Sequence, residues 1–272
     1  MSDYNFEFFS GDQRTPAWEK ARKGVLTASW IPDLLGYGFK AWMRCYTGAV
    51  EPTQSLMGEA IIQRGVTNEP RAVEQFTKEL TETLDHGELD YGAKVLVARP
   101  GLLIDKTLEL GASLDGLVCI LEYGAKKKFS TSSWYNLEVK CPNPDYGLPT
   151  SITDLKPRYL LQILAQMKVA KLPATYLYFW ISPTESSCFL VTFNNSTWEL
   201  LEEYLPEIRK YFFNTVQPRP KRNPFLHDEE FSRRLAKCLG EWKERGIIRL
   251  WPDKVPPSVY IKDGKQEQFL SS

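Results

Sequence analysis

The sequence predicts an α/β fold in which a mixed central sheet is flanked by helices. Helical spacing of apolar residues dominates as far as about Leu80. From Ala93 the period shortens to β-rich runs separated by turn-forming residues. The order that follows is helix, two strands, helix, which is not the regular alternation of a parallel doubly wound sheet.

Element by element, Trp18–Leu26 leads into Thr27-Ala28-Ser29, a capping triplet ahead of Trp30, Ile31, Leu34 and Leu35. Gly36 and Gly38 should end that helix. A second helical region runs from about Leu56 to Leu80, and Gly65 and Pro70 should break or bend it. Ala93–Ala98, Leu117–Leu121 and Trp134–Val139 read as strands, with Tyr123–Ser133 as an exposed hairpin loop carrying Lys126, Lys127 and Lys128. A helix from about Leu155 to Lys171 precedes strands Thr175–Ile181 and Cys188–Phe193. Trp198–Phe213 is an amphipathic helix. Residues 1–216 therefore form the main domain, and 217–272 a C-terminal extension packed on or beside it. That extension opens with a proline- and arginine-rich stretch, holds one helix (Glu229–Arg245) and ends in an extended segment. Arg219, Lys221, Arg222, Arg233, Arg234 and Lys237 suggest a basic stripe along it, although a solvated helix explains them equally well.

Composition narrows the function classes. With 272 residues, 43% of them hydrophobic, the chain can bury a full core without disulfides or a structural metal. Its 34 basic and 34 acidic residues cancel, so any basic surface must be local. The five cysteines are scattered with no C-x-x-C, which argues against zinc ribbons and iron–sulfur clusters and for a reducing compartment. His86 and His227, the only histidines, fit no histidine–metal nuclease motif. The N-terminus lacks the features of a signal peptide, and no apolar run is long enough to cross a bilayer. The expected location is soluble and intracellular, in cytoplasm or nucleus, with no membrane partner.

Chemistry concentrates in Ala112-Ser113-Leu114-Asp115-Gly116-Leu117 and Asn136-Leu137-Glu138-Val139-Lys140-Cys141-Pro142. Glu138 and Lys140 are two apart on a predicted strand, so they share a face while Leu137 and Val139 take the other. A carboxylate and an ammonium on a buried strand are costly unless they are paired or hold a cation. Asp115, at the turn into the preceding strand, is within reach of Glu138. Two carboxylates and a strand carbonyl make an oxygen-rich site suited to Mg²⁺, with Mn²⁺ as substitute, rather than to zinc. A cross-strand ion pair beside a turn aspartate explains the same residues, so other segments must decide.

Three segments bear on the question. On the helix Tyr159–Lys171, Tyr159, Gln162 and Gln166 form one polar stripe, facing either solvent or an active-site water or phosphate. In Gly65-Val66-Thr67-Asn68-Glu69-Pro70, Glu69 begins or lies inside a helix. Arg22 near Thr27 and Ser29 at a helix start is either plain capping or a phosphate site.

Taken in order, these segments resemble the lambda-exonuclease family, also described as YqaJ-type viral recombinase exonucleases. The resemblance spans about residues 17 to 215. It rests on W-x-x-x-R-x-G-x-x-T-A-S (Trp18 to Ser29), G-x-x-x-E-P, S-x-D-G-L, L-E-V-K-C-P and Y-x-x-Q. It implies a restriction-endonuclease-like core of the PD-(D/E)xK class in residues 1–216. It also implies Mg²⁺-dependent digestion of linear double-stranded DNA from a 5′-phosphorylated end, releasing mononucleotides and leaving a 3′ single strand for an annealing protein. By motif match, Asp115, Glu138 and the Val139 carbonyl would hold the metal, with Glu69 as a further candidate ligand. Lys140 would be the catalytic lysine, Glu69 and Gln162 would complete the site, and Arg22 and Ser29, flanked by Thr27, Tyr159 and Gln166, would meet DNA and its 5′-phosphate. Some members of that family form a ring-shaped trimer around DNA.

The chain departs from the family pattern in Gly36–Thr53, where Trp42, Met43 and Arg44 are candidate duplex-splitting groups, in the Tyr123–Ser133 loop, and in the tail. The residues leave two alternatives open: a DNA or RNA endonuclease with the same metal site, and a non-catalytic module that binds nucleic-acid ends.

Overall fold

The computed structural model describes residues 6–9, 13, 15–37, 56–85, 93–123, 129–213, 215, 222–251, 261–262 and 265–266. A short strand β1 (Phe6–Phe9) precedes helix α1 (Pro16–Arg22), which starts as its sequence dictates. Thr15 accepts a hydrogen bond from the Trp18 N–H, and Pro16 fills the first turn, where no N–H is needed. β2 (Leu26–Thr27) follows, and then a wide helical turn (Asp33–Tyr37) containing Gly36, whose φ of 97° suits glycine. α2 (Leu56–Asp85) leads to strands β3 (Ala93–Ala98), β4 (Leu102–Asp105), β5 (Leu110–Ser113), β6 (Gly116–Tyr123) and β7 (Phe129–Lys140). After α3 (Pro157–Ala170) come β8 (Ala174–Ser182), β9 (Glu185–Thr192), α4 (Asn195–Phe212), α5 (Pro224–His227), α6 (Glu229–Arg245) and β10 (Ile247–Trp251).

The larger sheet has the order β10-β9-β8-β7-β6-β3 and is mixed, because β7 and β8 run parallel while their outer neighbours are antiparallel. Alternation along β8 sends Leu177 and Phe179 into one core with α3, α4 and α6. It sends Tyr176, Tyr178 and Trp180 into a second core under α2. Helices therefore cover both faces, and the fold is the expected mixed α/β, restriction-endonuclease-like one. A smaller sheet, β1-β4-β5-β2, packs against α3. No helix among the described residues is long and apolar enough to cross a membrane, and the described cysteines 119, 141, 188 and 238 are free.

Several expectations are corrected. α2 is one helix through both Gly65 and Pro70. Pro70 lies on the exposed side, and Ala72, Phe76 and Leu80, fully buried one turn apart, hold the helix to the sheet in spite of the lost N–H. The supposed loop Tyr123–Ser133 is largely strand: Phe129–Ser133 pairs with Ile120–Tyr123. Backbone hydrogen bonds form that ladder, and the polar side chains of Thr131 to Ser133 concealed it. The segment Thr27-Ala28-Ser29 does not cap a long helix; Thr27 belongs to β2, and the Ala28 N–H donates to the Gly111 carbonyl at 2.8 Å.

The tail contributes to the body of the fold. Phe225, Phe231, Leu235, Leu239, Trp242 and Ile247 belong to the core shared with α3, and β10 extends the large sheet alongside β9. The expected basic stripe is neutralised along α6, while Arg222, before α5, is exposed. Arg233 pairs with Glu230, Arg234 makes a two-pronged contact with Glu203 at 3.0 and 2.7 Å, and Lys237 lies 3.9 Å from Glu241. Arg219 and Lys221 lie outside the described residues.

Candidate active site

β7 brings the site together. Leu137 and Val139 face the core under α2, so Asn136, Glu138 and Lys140 face α3. β6 begins at Gly116 opposite Leu137, and Asp115, one residue earlier, accepts the Val139 N–H on Oδ2 at 2.8 Å. In an extended strand the N–H and C=O of one residue leave the same edge, so the Val139 carbonyl is on the side of Asp115. Gly116 is required by close approach: a Cβ there would lie 2.8 Å from Val97 Cγ1 and 3.0 Å from Leu137 Cδ2. A side chain at 116 would push Asp115 away from β7.

Glu138 is only 3% exposed, a position no carboxylate holds unaided. Three donors satisfy it. Lys140 Nζ bonds Oε1, Gln162 Nε2 bonds Oε1 at 2.7 Å, and Gln166 Nε2 bonds Oε2 at 2.7 Å. The polar stripe of α3 thus points inward. Lys140 also reaches Gln162 Oε1 at 3.4 Å and lies 5.5 Å from the Tyr159 ring, which packs edge-on to Phe179. Burial opposes the charge of Lys140, but Glu138 and Asp115 together outweigh it and hold its pKa above the ordinary value. Asp115 is the strained member. Burial first, then the charges of Glu138 and Glu69, raise its pKa well above the usual carboxylate range. Glu69, inside α2, therefore acts on the same site.

A second cluster faces these carboxylates. Arg22 Nη2 donates to Thr27 Oγ1 at 2.9 Å and to Ser29 Oγ at 3.3 Å, and the two hydroxyls are 3.1 Å apart. The guanidinium stacks 4.4 Å from the Trp18 ring, whose Nε1 donates to Ser113 Oγ at 3.2 Å. Burial lowers the Arg22 pKa, and its bonded partners among the described residues are hydroxyls, not carboxylates. A desolvated cation with neutral partners attracts an anion. Parallel pairing of β2 with β5 carries this cluster to the mouth of β6. One cleft of about 180 Å³ is lined by Trp18, Arg22, Thr27 and Ser29 on one side and by Asp115, Glu138, Gln162 and Gln166 on the other.

Most of the expected site residues are thus brought together. Gln166, expected among the DNA contacts, is 1% exposed, and both its amide hydrogens go to Glu138 and the Ser113 carbonyl; it supports the carboxylate. Trp42, Met43 and Arg44 lie outside the described residues. Sequence reasoning missed Ser113, Asn136, Arg64 and Gln13, which donates to the Leu114 carbonyl at 2.7 Å. Arg64 ties α2 to the ends of β7 and β8 through the Pro142 and Ile181 carbonyls, at 2.9 and 3.2 Å. Asn136 was signalled by its spacing of two from Glu138; nothing local signalled Gln13.

Residues 17–173, more than half of the chain, match the model of the YqaJ-like viral recombinase domain. The chain belongs to that family. The match takes in every residue lining the cleft except Gln13. The fold is also that of an alkaline exonuclease, LHK-Exo, from Laribacter hongkongensis. Its complex with dAMP aligns at a TM-score of 0.50 and 23% identity, over 83% of this chain and 100% of that one. A second crystal structure of that enzyme aligns at 0.48 and 22%, with the same coverage. No curated protein matches the sequence.

Proposed function

We propose that this YqaJ-family protein is a Mg²⁺-dependent 5′→3′ exonuclease that digests linear duplex DNA to mononucleotides and leaves a 3′ single strand for an annealing partner. The observation that carries this reading is the shared cleft. It sets an anion-seeking guanidinium and two hydroxyls across from the buried carboxylate of Glu138 and the half-buried one of Asp115. The likeness in fold to an alkaline exonuclease crystallised with dAMP supports it.

The donor set fits a hard divalent cation. Among the described residues no three His, Cys, Asp or Glu side chains gather into a ligand cluster. The ligands would therefore be Asp115, Glu138 and the Val139 carbonyl, with Glu69 near enough to add charge. Two adjacent carboxyl groups, with Asp115 pushed well above its ordinary pKa by desolvation, Glu138 and Glu69, form a site that a cation would relieve. A carboxylate offers about four acceptor positions, and the three donors on Glu138 leave room for a metal bond. Bound there, Mg²⁺ supplies Lewis acidity toward a phosphate oxygen and acidifies a coordinated water.

The chain's own groups do the rest. Lys140, held as an ammonium by Glu138 and Gln162, offsets negative charge building on the scissile phosphate. Gln162 fixes the shared Glu138 oxygen and can hold a water beside it. Arg22, Thr27 and Ser29 grip the terminal 5′-phosphate, which is regenerated after each nucleotide is removed. That grip places the next bond over the carboxylates.

Two results are expected. Mg²⁺ and Mn²⁺ support cleavage and excess EDTA abolishes it, whereas Ca²⁺ permits DNA binding without turnover because its looser coordination places the water poorly; undiminished activity in EDTA would contradict the metal reading. The wild type prefers 5′-phosphorylated to 5′-hydroxyl ends. Arg22→Ala loses a charge-assisted contact worth about 1.5–3 kcal/mol and with it most of the preference, while Arg22→Lys restores only part, lacking the fork geometry. Competition between the two ends on linear duplex measures this, with covalently closed circles as control. Equal cutting of closed circles would make the enzyme an endonuclease.

A further inference from the structure

Directly beneath Glu138 the protein buries polar groups that the proposed chemistry does not use. Asn136 and Thr175 are 0% exposed and Gln166 1%. Asn136 shares the Glu138 face of β7, and Thr175 sits opposite it on β8. Asn136 Nδ2 donates to Gln166 Oε1 at 3.0 Å and to Thr175 Oγ1 at 3.1 Å. Gln166 Nε2 donates in turn to Glu138 Oε2 at 2.7 Å and to the Ser113 carbonyl at 3.2 Å.

Polarity is the informative feature of this chain of bonds. A glutamine amide has two orientations of nearly equal shape, and only one offers N–H to a carboxylate. Asn136 Oδ1 is buried without a hydrogen-bond partner. Reversing both amides would give it two donors, the Gln166 amide and the Thr175 hydroxyl, but would move the Asn136 NH₂ into the place that has no partner. That reversal would also turn the Gln166 oxygen onto Glu138, oxygen against carboxylate. The observed direction leaves one acceptor of Asn136 unmet and keeps a donor on Glu138. An apolar residue at 136 would fill the same space but take away the donor on Gln166 Oε1.

We infer that Asn136 is a positioning residue: by donating to Oε1 it holds the Gln166 side chain in place and, through it, the rotation of the Glu138 carboxylate toward the metal. The inference rests on the metal-binding reading above and deepens it. Ser113 favours the same amide orientation, so removing Asn136 weakens the site without abolishing it. Outer partners of metal ligands commonly contribute about 10–100-fold to affinity or activity.

The test titrates metal-free protein with Mn²⁺ by calorimetry and measures kcat and KM on linear duplex. The proteins compared are the wild type, Asn136→Leu, Gln166→Met and the double variant. Each single variant should bind Mn²⁺ about 10–100-fold more weakly and lose kcat with little change in KM for DNA. The double should be no worse than Gln166→Met alone, because Asn136 acts through Gln166. Lowered melting temperature with unchanged Mn²⁺ affinity and kcat would reduce Asn136 to packing and overturn the inference. Losses that multiply in the double would overturn it as well, by making the two residues independent. Should Asn136→Leu not fold, Thr175→Val releases the other arm of the Asn136 amide and should weaken Mn²⁺ binding several-fold; unchanged binding there overturns the inference equally. A wild type that binds no Mn²⁺ ends the metal reading and this inference together. A wild type that binds, with unaffected variants, ends this inference alone.

Discussion

Glu138→Gln and Lys140→Ala proteins should still bind duplex DNA but cut it at least ~10²–10³ times more slowly than the wild type. Glu138 is the point on which the site converges, since Lys140, Gln162 and Gln166 all donate to it. Glutamine at this position keeps the volume and removes the charge. It also sets an NH₂ group against a donor on one side, so the carboxylate's place is lost as well as its charge. Removing Lys140 leaves the polypeptide packing nearly untouched, because its side chain is 22% exposed. What disappears is the cation that balances Glu138 and Asp115. The cluster of Arg22, Thr27 and Ser29, the proposed phosphate grip, is built from other elements and stays in place. Single-turnover cleavage of a 5′-phosphorylated duplex, beside an equilibrium binding assay in Ca²⁺, separates the two effects. Near-normal turnover in either variant would remove these residues from the chemistry.

Deleting residues 217–272 should prevent folding altogether, an effect larger than that of any single substitution above. From its composition that segment is either a basic stripe along DNA or a solvated helix, and in the first case removing it would only weaken DNA binding and flatten its salt dependence. The packing argues otherwise. Phe225, Phe231, Leu235, Leu239, Trp242, Ile247, Leu250 and Trp251 are each at most 6% exposed. Full burial of a large aliphatic or aromatic side chain contributes about 1.5–3 kcal/mol, against a typical whole-domain stability of about 5–15 kcal/mol. The deletion would also strip β9 of its outer neighbour β10 and expose a hydrophobic edge. Circular dichroism and thermal unfolding of the shortened chain decide the matter. A cooperative transition at the wild-type temperature, with only the salt dependence of DNA binding altered, would return the tail to the role of an accessory arm.

What could be read from the sequence was whatever local periodicity carries. The alternation of Asn136 to Lys140 set Glu138 and Lys140 on one face, and the helix expected at Glu229–Arg245 has those bounds. Motif order pointed to the family, and the chemistry of Asp115, Glu138 and Lys140 pointed to a hard cation. Tertiary structure decided which solvent each face meets and which distant strands pair, and neither is encoded within one period of a helix or strand. The α3 stripe was equally compatible with water or the interior until β7 lay beneath it and turned Gln162 and Gln166 onto Glu138. α2 runs through Pro70 because sheet contacts outweigh one missing hydrogen bond. Arg22, Thr27 and Ser29 stand close together in sequence, yet only the parallel pairing of β2 with β5 brings them, about ninety residues away along the chain, to the carboxylate of Asp115. Side-chain type sets what a residue can do; long-range backbone pairing sets what it does it to.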